Sequence, residues 1–326
     1  MNFLLLKLLR IISFNYLPFR SKKELLVVLY HQVNDKKYTF YPAVPTKVYQ
    51  ETCLFLAKYY EIIHFSEVEH YYQSNPSKPA AIITFDDGMS DIREHVLPFM
   101  EKHQLKFNIN IDTEILETKL PQDFLRVYDI LNTTPKIPTY IDSENTSKPI
   151  TIQYDKPFQT ENEFTEVLSN LSSKDKRNFT IRMHDSLGME SHHYSKVLSS
   201  DDLRNLAKNK LVEIGSHSHT HSVLTKLDAI DIQNELQKSK EILEHTTDKH
   251  ITVIAYPNGC SSEKIDQTAI QLGYQYLLKT DNKTTIIDKK NKTTIFYRIN
   301  QYHQNTELAL AHTFGVLQKI KNFIKR

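Results

Sequence analysis

The sequence predicts an α/β barrel built as one elaborated domain, and two observations carry that prediction. Continuous apolar runs rich in β-branched residues, such as residues 25–30 (LLVVLY) and 80–85 (AAIITF), read as strands buried on both faces. Stretches with apolar residues at helical spacing separate them, so β and α segments alternate as in a mainly parallel sheet or barrel. At 326 residues the chain exceeds the usual single domain, yet a barrel of this class uses such a length as one unit.

Taken in order, the strand at 25–30 is followed by a helix over 46–60, a short strand at 61–65 and the strand at 80–85. That strand ends on Asp86-Asp87-Gly88. A helix over 92–103 leads to a strand at 106–111. From about 114 to 200 the alternation breaks, with a Pro-rich stretch at 133–138 and a polar one at 142–148. This region reads as an insertion with some helix, for example 124–131, and not as a second domain with its own core. Alternation then resumes: helix 200–209, strand 211–214, helix 229–246, strand 251–255, helix 263–272 and strand 275–279. A strand at 295–299 and a terminal helix complete residues 25–326 as one domain.

Hydrophobic residues make up 40% and charged residues 25%, the balance of a soluble globular protein. A formal net charge of +2 supplies no global attraction to nucleic acid. Cys53 and Cys260 form no CxxC pair, so they build neither a disulfide framework nor a thiolate metal site. Residues 1–14 (MNFLLLKLLRIISF) are apolar but too short to span a bilayer, and no small-residue cleavage site follows them. Residues 1–24 are expected to form an amphipathic basic helix that either touches an anionic membrane surface or packs on the barrel. A cytoplasmic or peripheral-membrane location is therefore expected. Oligomeric state is left open.

Two constellations carry chemistry. Thr84-Phe85-Asp86-Asp87-Gly88 lies where a buried strand ends. Adjacent carboxylates on a strand point to opposite sides, so one can bind a cation while the other takes a proton, and the glycine permits a sharp turn beyond them. The second is Gly215-Ser216-His217-Ser218-His219-Thr220-His221, also after a strand. His217 and His221 are four apart, so on one helical turn their imidazoles share a face while His219 points elsewhere. Two neutral imidazoles and a carboxylate leave an open position for water, as in hydrolytic zinc sites. Taken singly, Asp-Asp-Gly is often only a turn and a His-rich string can be solvent-facing; the pair after two strands is what points to a site.

These residues resemble the polysaccharide deacetylase family, the NodB-like homology domain of carbohydrate esterase family 4. TFDDG is similar to its first motif and His217-Ser218-x-x-His221 to its second. Val28-Leu29-Tyr30-His31-Gln32-Val33 is similar to its opening strand, and Ile254-Ala255-Tyr256-Pro257-Asn258-Gly259 to the FAYPYG form of its third motif. The resemblance implies a distorted (β/α)7-type barrel with its site at the C-terminal strand ends. It implies Asp86 as catalytic base, and Asp87, His217 and His221 as ligands of one divalent metal, zinc by preference with cobalt or nickel as alternatives. It implies hydrolysis of the N-acetyl group of an N-acetylated glycan, with no nucleic-acid partner.

Three departures bear on that expectation. Ala255 stands where many members have an arginine that orients the base, and Arg298 in a late strand is the candidate replacement. Asn258 stands in place of a tyrosine whose backbone N–H polarises the acetyl oxygen, a role a backbone donor keeps. Leu310-Ala311-His312 has the letters of the late motif that supplies a general acid, but in a helix. Tyr256 and Pro257 are candidate substrate contacts. His31 is read either as a substrate contact at the cleft mouth or as a satisfied core histidine. The alternative functions are hydrolysis of another amide or an O-acetyl ester on the same fold, and saccharide binding without catalysis.

Overall fold

A computed structural model describes residues 23–133, 140–141, 150–151, 153, 155–171, 173–187, 194–288 and 293–318. The expected N-terminal helix (1–24) and the basic end of the terminal helix lie outside the described residues, apart from residues 23 and 24.

Seven parallel strands close into a barrel: β1 (Glu24–Tyr30), β3 (Ala80–Phe85), β4 (Phe107–Ile111), β7 (Val212–Ser216), β8 (Val253–Ala255), β9 (Tyr276–Thr280) and β11 (Ile295–Asn300). Closure comes from β1, which runs alongside β3 from Leu25↔Ala80 to Tyr30↔Phe85 and meets β11 on its other side at Val28↔Ile299. β2 (Glu61–Ile62) adds to the start of β3, and β10 (Thr285–Ile286) pairs antiparallel with the start of β1. The expected short strand at 61–65 is thus cut to two residues; Phe65–Glu67 instead form a 3-10 turn leading into α2 (Val68–Gln73). Helices α1 (Thr46–Tyr59), α3 (Leu97–His103), α8 (Ser200–Lys208), α9 (Ala229–Thr247), α10 (Glu263–Gln271) and α11 (Thr306–Thr313) accompany the strands. Polar caps start several of them: Ser199, Asp228, Ser262 and Asn305 each accept a backbone N–H of the first turn.

The period of two along each strand sorts the core. Leu26, Val28, Ile83, Phe85, Phe107, Ile109, Ile214 and Leu277 join the helices in one apolar cluster outside the barrel wall. Leu25, Val27, Ala80, Ile82, Val253, Leu278 and Phe296 form a second cluster inside the barrel, closed below by Phe65 and Tyr72. Counting on in steps of two, the inward row of each strand ends in polar groups: His31 after β1, Asp86 after β3, Asn110 on β4, His217 after β7 and Arg298 on β11. The barrel interior is therefore greasy at its N-terminal end and polar at its C-terminal end.

The insertion differs from expectation. Helices α4 (Glu114–Thr118), α5 (Asp123–Thr133), α6 (Pro157–Asn170) and α7 (Ser173–Leu187), with the hairpin β5 (Tyr140–Ile141) and β6 (Ile150–Thr151), fill it. It has an apolar cluster of its own: Val127, Ile130 and Leu131 from α5, Phe164 and Leu168 from α6, and Phe179 and Met183 from α7. The amphipathic repeats in these short helices were too interrupted by polar residues to show that core from periodicity. Phe40, from the connection after β1, inserts into the same cluster, and Asn132 Oδ1 accepts the backbone N–H groups of Thr39 and Phe40, both at 3.0 Å. The insertion is thus pinned to the rim of the barrel. Among the described residues no helix is long and apolar enough to cross a membrane.

Phe164 is fully buried at the centre of the insertion cluster. Phe164→Ala is expected to cost about 3–5 kcal/mol locally. Hydrogen exchange of the amides in α5–α7 should accelerate before that of the barrel strands, and equal acceleration in both would show that the two cores unfold as one.

Candidate active site

Asp86 and Asp87 follow β3, but they do not diverge as strand geometry alone would dictate. Asp87 adopts φ 73 and Gly88 φ 66, so the chain turns at once and swings the second carboxylate back over the barrel mouth. Both acids then face one imidazole: His217 Nε2 is 3.7 Å from Asp86 Oδ2 and 3.6 Å from Asp87 Oδ1. His221 Nε2 lies 3.5 Å from the same Asp87 oxygen.

The histidine pair converges by a different route from the one the spacing suggests. Residues 217–221 are not helical. β7 ends at Ser216, and left-handed backbone at Ser218 (φ 66) and His221 (φ 54) curls the loop so that the two rings meet at 4.8 Å. His219 turns away, with Nδ1 2.9 Å from Thr113 Oγ1 and Nε2 2.8 Å from Lys238 Nζ. His217 Nδ1–H donates to the Ala255 carbonyl at 2.7 Å, which fixes the tautomer and leaves the Nε2 lone pair towards Asp87. Burial lowers the His217 pKa to about 4, although both aspartates pull it upward. The ring is neutral at neutral pH, the form that binds a metal.

Asp86 is held by two donors on one oxygen: Arg298 Nη1 and Asn110 Nδ2, each 2.8 Å from Oδ1. Arg298, 1% exposed, reaches it from β11. Burial alone would raise the Asp86 pKa, but the guanidinium and the neighbouring imidazoles hold it well below the ordinary carboxylate range. Asn110 owes its place to Gly215 on the adjacent strand, where any Cβ would fall 2.3 Å from its Oδ1.

Asp87 is the odd member. It is completely buried, yet neither of its carboxylate oxygens accepts a hydrogen bond among the described residues. Burial pushes its pKa up; His221, His31 and His217 hold it down, so it stays ionised. An ionised carboxylate without donors in a closed site is costly and calls for a cation. Among the described residues, Asp87, His217 and His221 are the group whose ligand atoms lie within 4.8 Å of one another. The two separations from Asp87, 3.5 and 3.6 Å, come close to what tetrahedral ligation at about 2.0–2.1 Å requires. The donor set therefore fits a divalent metal.

These groups line one end of a cavity of about 310 Å³. His31 lines it too, half-buried at the end of β1. Tyr256 and Asn258 are on the wall; Asn258 is exposed and takes φ 57 in the turn after β8. Two expected residues are not there. Pro257 is buried in that turn and does not line the cavity, because the left-handed kink at Asn258 presents its neighbours instead. His312 rides on α11 among Tyr302, His303 and Asn282, so its helix keeps it off the cavity wall. Residues the sequence reading missed include Asn110, Gln122 and Asp112. Gln122 donates both to the Asp87 carbonyl (2.8 Å) and to Asp112 Oδ1, and burial next to the Asp87 charge pushes the Asp112 pKa well up. The alternation in Phe107-Asn108-Ile109-Asn110-Ile111-Asp112 was the available signal, since the polar members share the inward face.

A site of two imidazoles and a carboxylate beside an arginine-clamped aspartate, at the C-terminal mouth of a seven-stranded barrel, agrees with a family match in the sequence: residues 142–277 align with the family model described as polysaccharide deacetylase. Over that span the chain is similar to the polysaccharide deacetylase family. The aligned span holds His217, His221 and the turn after β8, while Asp86 and Asp87 lie before it. The barrel is similar to that of a deacetylase from Streptococcus pyogenes solved in complex with acetate, at 15% identity and TM-score 0.55, covering 89% of this chain and 98% of that one. A polysaccharide deacetylase from Bacillus cereus gives 16% and 0.55, covering 89% and 69%. IcaB from Ammonifex degensii gives 12% and 0.54, covering 89% and 97%. At these identities the likeness is one of fold. No curated protein matches the chain in sequence. The family's chemistry is hydrolysis of amide or ester bonds.

Two outcomes are expected. Arg298→Ala strands a buried carboxylate and should cost about 3–5 kcal/mol by denaturant unfolding at pH 7; a cost below about 1 kcal/mol would show that the pair is not buried. For His217, the folded pKa near 4 lies below the unfolded value of 6.5, so the unfolded chain binds the extra proton between those pH values. Metal-free protein should therefore lose up to about 3 kcal/mol of stability as pH falls from 6.5 to 4. The same titration of His217→Asn should lack that component of the slope.

Proposed function

We propose that this protein hydrolyses the N-acetyl group of an N-acetylated sugar in a polysaccharide or lipid-linked glycan. One observation carries the reading: a donorless buried carboxylate, Asp87, faces two imidazoles while a second carboxylate beside it is clamped by an arginine. Asp87, His217 and His221 would hold the cation, with zinc best suited to this ligand set and cobalt or nickel also accommodated. A divalent ion held by these three residues would supply Lewis-acid chemistry at the site.

The chain's own groups divide the remaining tasks. Asp86 takes the proton of the attacking water through Oδ2, since both of its hydrogen-bond donors occupy Oδ1. A carboxylate held so far below its usual range is a weak base, so what Asp86 contributes is a fixed, charged acceptor aimed at the water. Arg298 and Asn110 orient Asp86 and do not touch the substrate in this scheme. The Asn258 backbone N–H at the rim serves as donor to the tetrahedral oxyanion. The departing amine also needs a proton donor. His31 on the cavity wall is a histidine that the metal set does not use, and it takes the place in which His312 was expected.

Asp86→Asn and His217→Ala are each expected to abolish acetate release from N-acetylglucosamine oligomers, a loss of at least about 10³-fold in kcat. Metal content by elemental analysis should fall only in the histidine variant. Full activity in either would remove the mechanism, and release from O-acetyl esters alone would redirect the assignment to an esterase.

A further inference from the structure

We infer that Gln122 is a positioning residue for the cation site, and that through it the insertion, and not the barrel alone, sets how tightly the metal is held. This rests on the reading of Asp87, His217 and His221 as ligands and adds what keeps the first of them in place.

Asp87 is poorly secured by its own strand. β3 ends at Phe85, and the reversal that swings the Asp87 carboxylate over the barrel mouth takes two left-handed residues in succession, Asp87 (φ 73) and Gly88 (φ 66). Such a backbone costs a residue other than glycine about 1–3 kcal/mol unless its surroundings impose it. Neither carboxylate oxygen accepts a hydrogen bond among the described residues, so the side chain does not hold the turn before an ion arrives. The peptide that follows does: Gln122 Nε2 donates to the Asp87 carbonyl at 2.8 Å.

The glutamine is itself tightly held. It is buried just ahead of α5, and its carbonyl accepts the Arg126 N–H at 3.0 Å, which makes its main chain part of the first helical turn. Its Nε2 also donates to Asp112 Oδ1, one residue past the end of β4. A primary amide has two N–H donors, and both are spent on oxygens here. Turning the amide over would set Oε1 against the same two oxygens, so they determine its orientation. Gln122 therefore bridges the ends of two neighbouring strands from a helix of the insertion.

Other contacts place both ligand loops in the same grip. Near the far end of the insertion, the Leu198 N–H donates to the Gly88 carbonyl and the Ser90 N–H to the Lys196 carbonyl, each at 2.9 Å. Where the chain leaves β4, the Thr113 and Glu114 N–H groups donate to the Ser218 and His219 carbonyls at 3.2 and 2.9 Å, inside the histidine loop. Phe124, two residues after the glutamine, stands 5.0 Å from the His221 ring. Within this set Gln122 acts by side chain on the peptide of a ligand itself. A ligand already in place loses less conformational freedom on binding the ion, and partners that orient ligands in this way change metal affinity by about 10–100-fold.

The test measures zinc affinity by chelator competition and the visible absorption of the cobalt-loaded protein. Gln122→Met keeps the reach of the side chain and removes both donors. Zinc affinity should fall about 10–100-fold, and the cobalt band should change in position or intensity because Asp87 meets the ion in another geometry. Asp112→Leu deprives the amide of its second acceptor and should weaken zinc binding, whereas Asp112→Asn keeps an acceptor Oδ1 there and should restore it. That pair decides the matter if Gln122→Met does not fold. Unchanged affinity and an unchanged cobalt band in Gln122→Met, or equal affinities in the two Asp112 variants, overturn the inference even where thermal unfolding of the metal-free protein has moved, since a purely structural residue gives that pattern. A wild-type chain that takes up neither zinc nor cobalt sinks the cation reading, and this inference with it.

Discussion

The constraint on which the rest depends is the period of two along seven parallel strands closed into a ring. Closure gives every strand an inside, and the inside cannot all be apolar if one end is to meet solvent and substrate. The inward rows therefore change character along their length, from Leu25, Ala80 and Phe296 to His31, Asp86 and Arg298. Side chains far apart in sequence are delivered to one place by register alone. A slip of one residue in β3 would send Asp86 to the helices and Phe85 to the barrel mouth.

Within that frame, two neighbouring carboxylates are given opposite surroundings. Asp86 is saturated on one oxygen by a guanidinium and an amide, which keeps it charged and fixed in direction. Asp87 is stripped of donors and left facing two imidazoles, one of them locked in a single tautomer by the Ala255 carbonyl. A buried charge with full compensation can orient and wait; one without compensation must recruit a partner. That contrast sets the two carboxylates apart more sharply than the residue types could.

Much of this was legible in the sequence, for identifiable reasons. Strands such as Ala80–Phe85 are short, uniformly apolar and punctuated by polar turns, so their place and direction followed from composition. Asp86, Asp87, His217 and His221 could be picked out because few residue types do such chemistry and each group sat just past a strand. How they converge was not legible: the histidines share a curled loop and not a helical turn, and Asp87 reverses by a left-handed backbone that an aspartate seldom adopts. Arg298 could be named as a candidate from its strand, but its contact with Asp86 depends on the ring closing. Phe124, whose ring stands 5.0 Å from that of His221 on the cavity wall, carried no signal, since it reaches that place only through the packing of the insertion onto the rim. Pro257 and His312 had the right letters and the wrong surroundings.

The clamp between Asp86 and Arg298 joins positions 212 residues apart, one on the third strand and one on the last. β1 likewise waits for β11 before its second edge is filled. During synthesis the ribosome delivers the aspartate long before the arginine, and closing so long a loop is among the later and slower events of folding. Until residues 295–300 emerge, the carboxylate has no fixed direction and the barrel remains an open sheet. The arrangement around Asp86 is therefore complete only once β11 has joined, and a nascent polypeptide lacking that strand holds Asp86, Asp87, His217 and His221 without the guanidinium that orients the first of them.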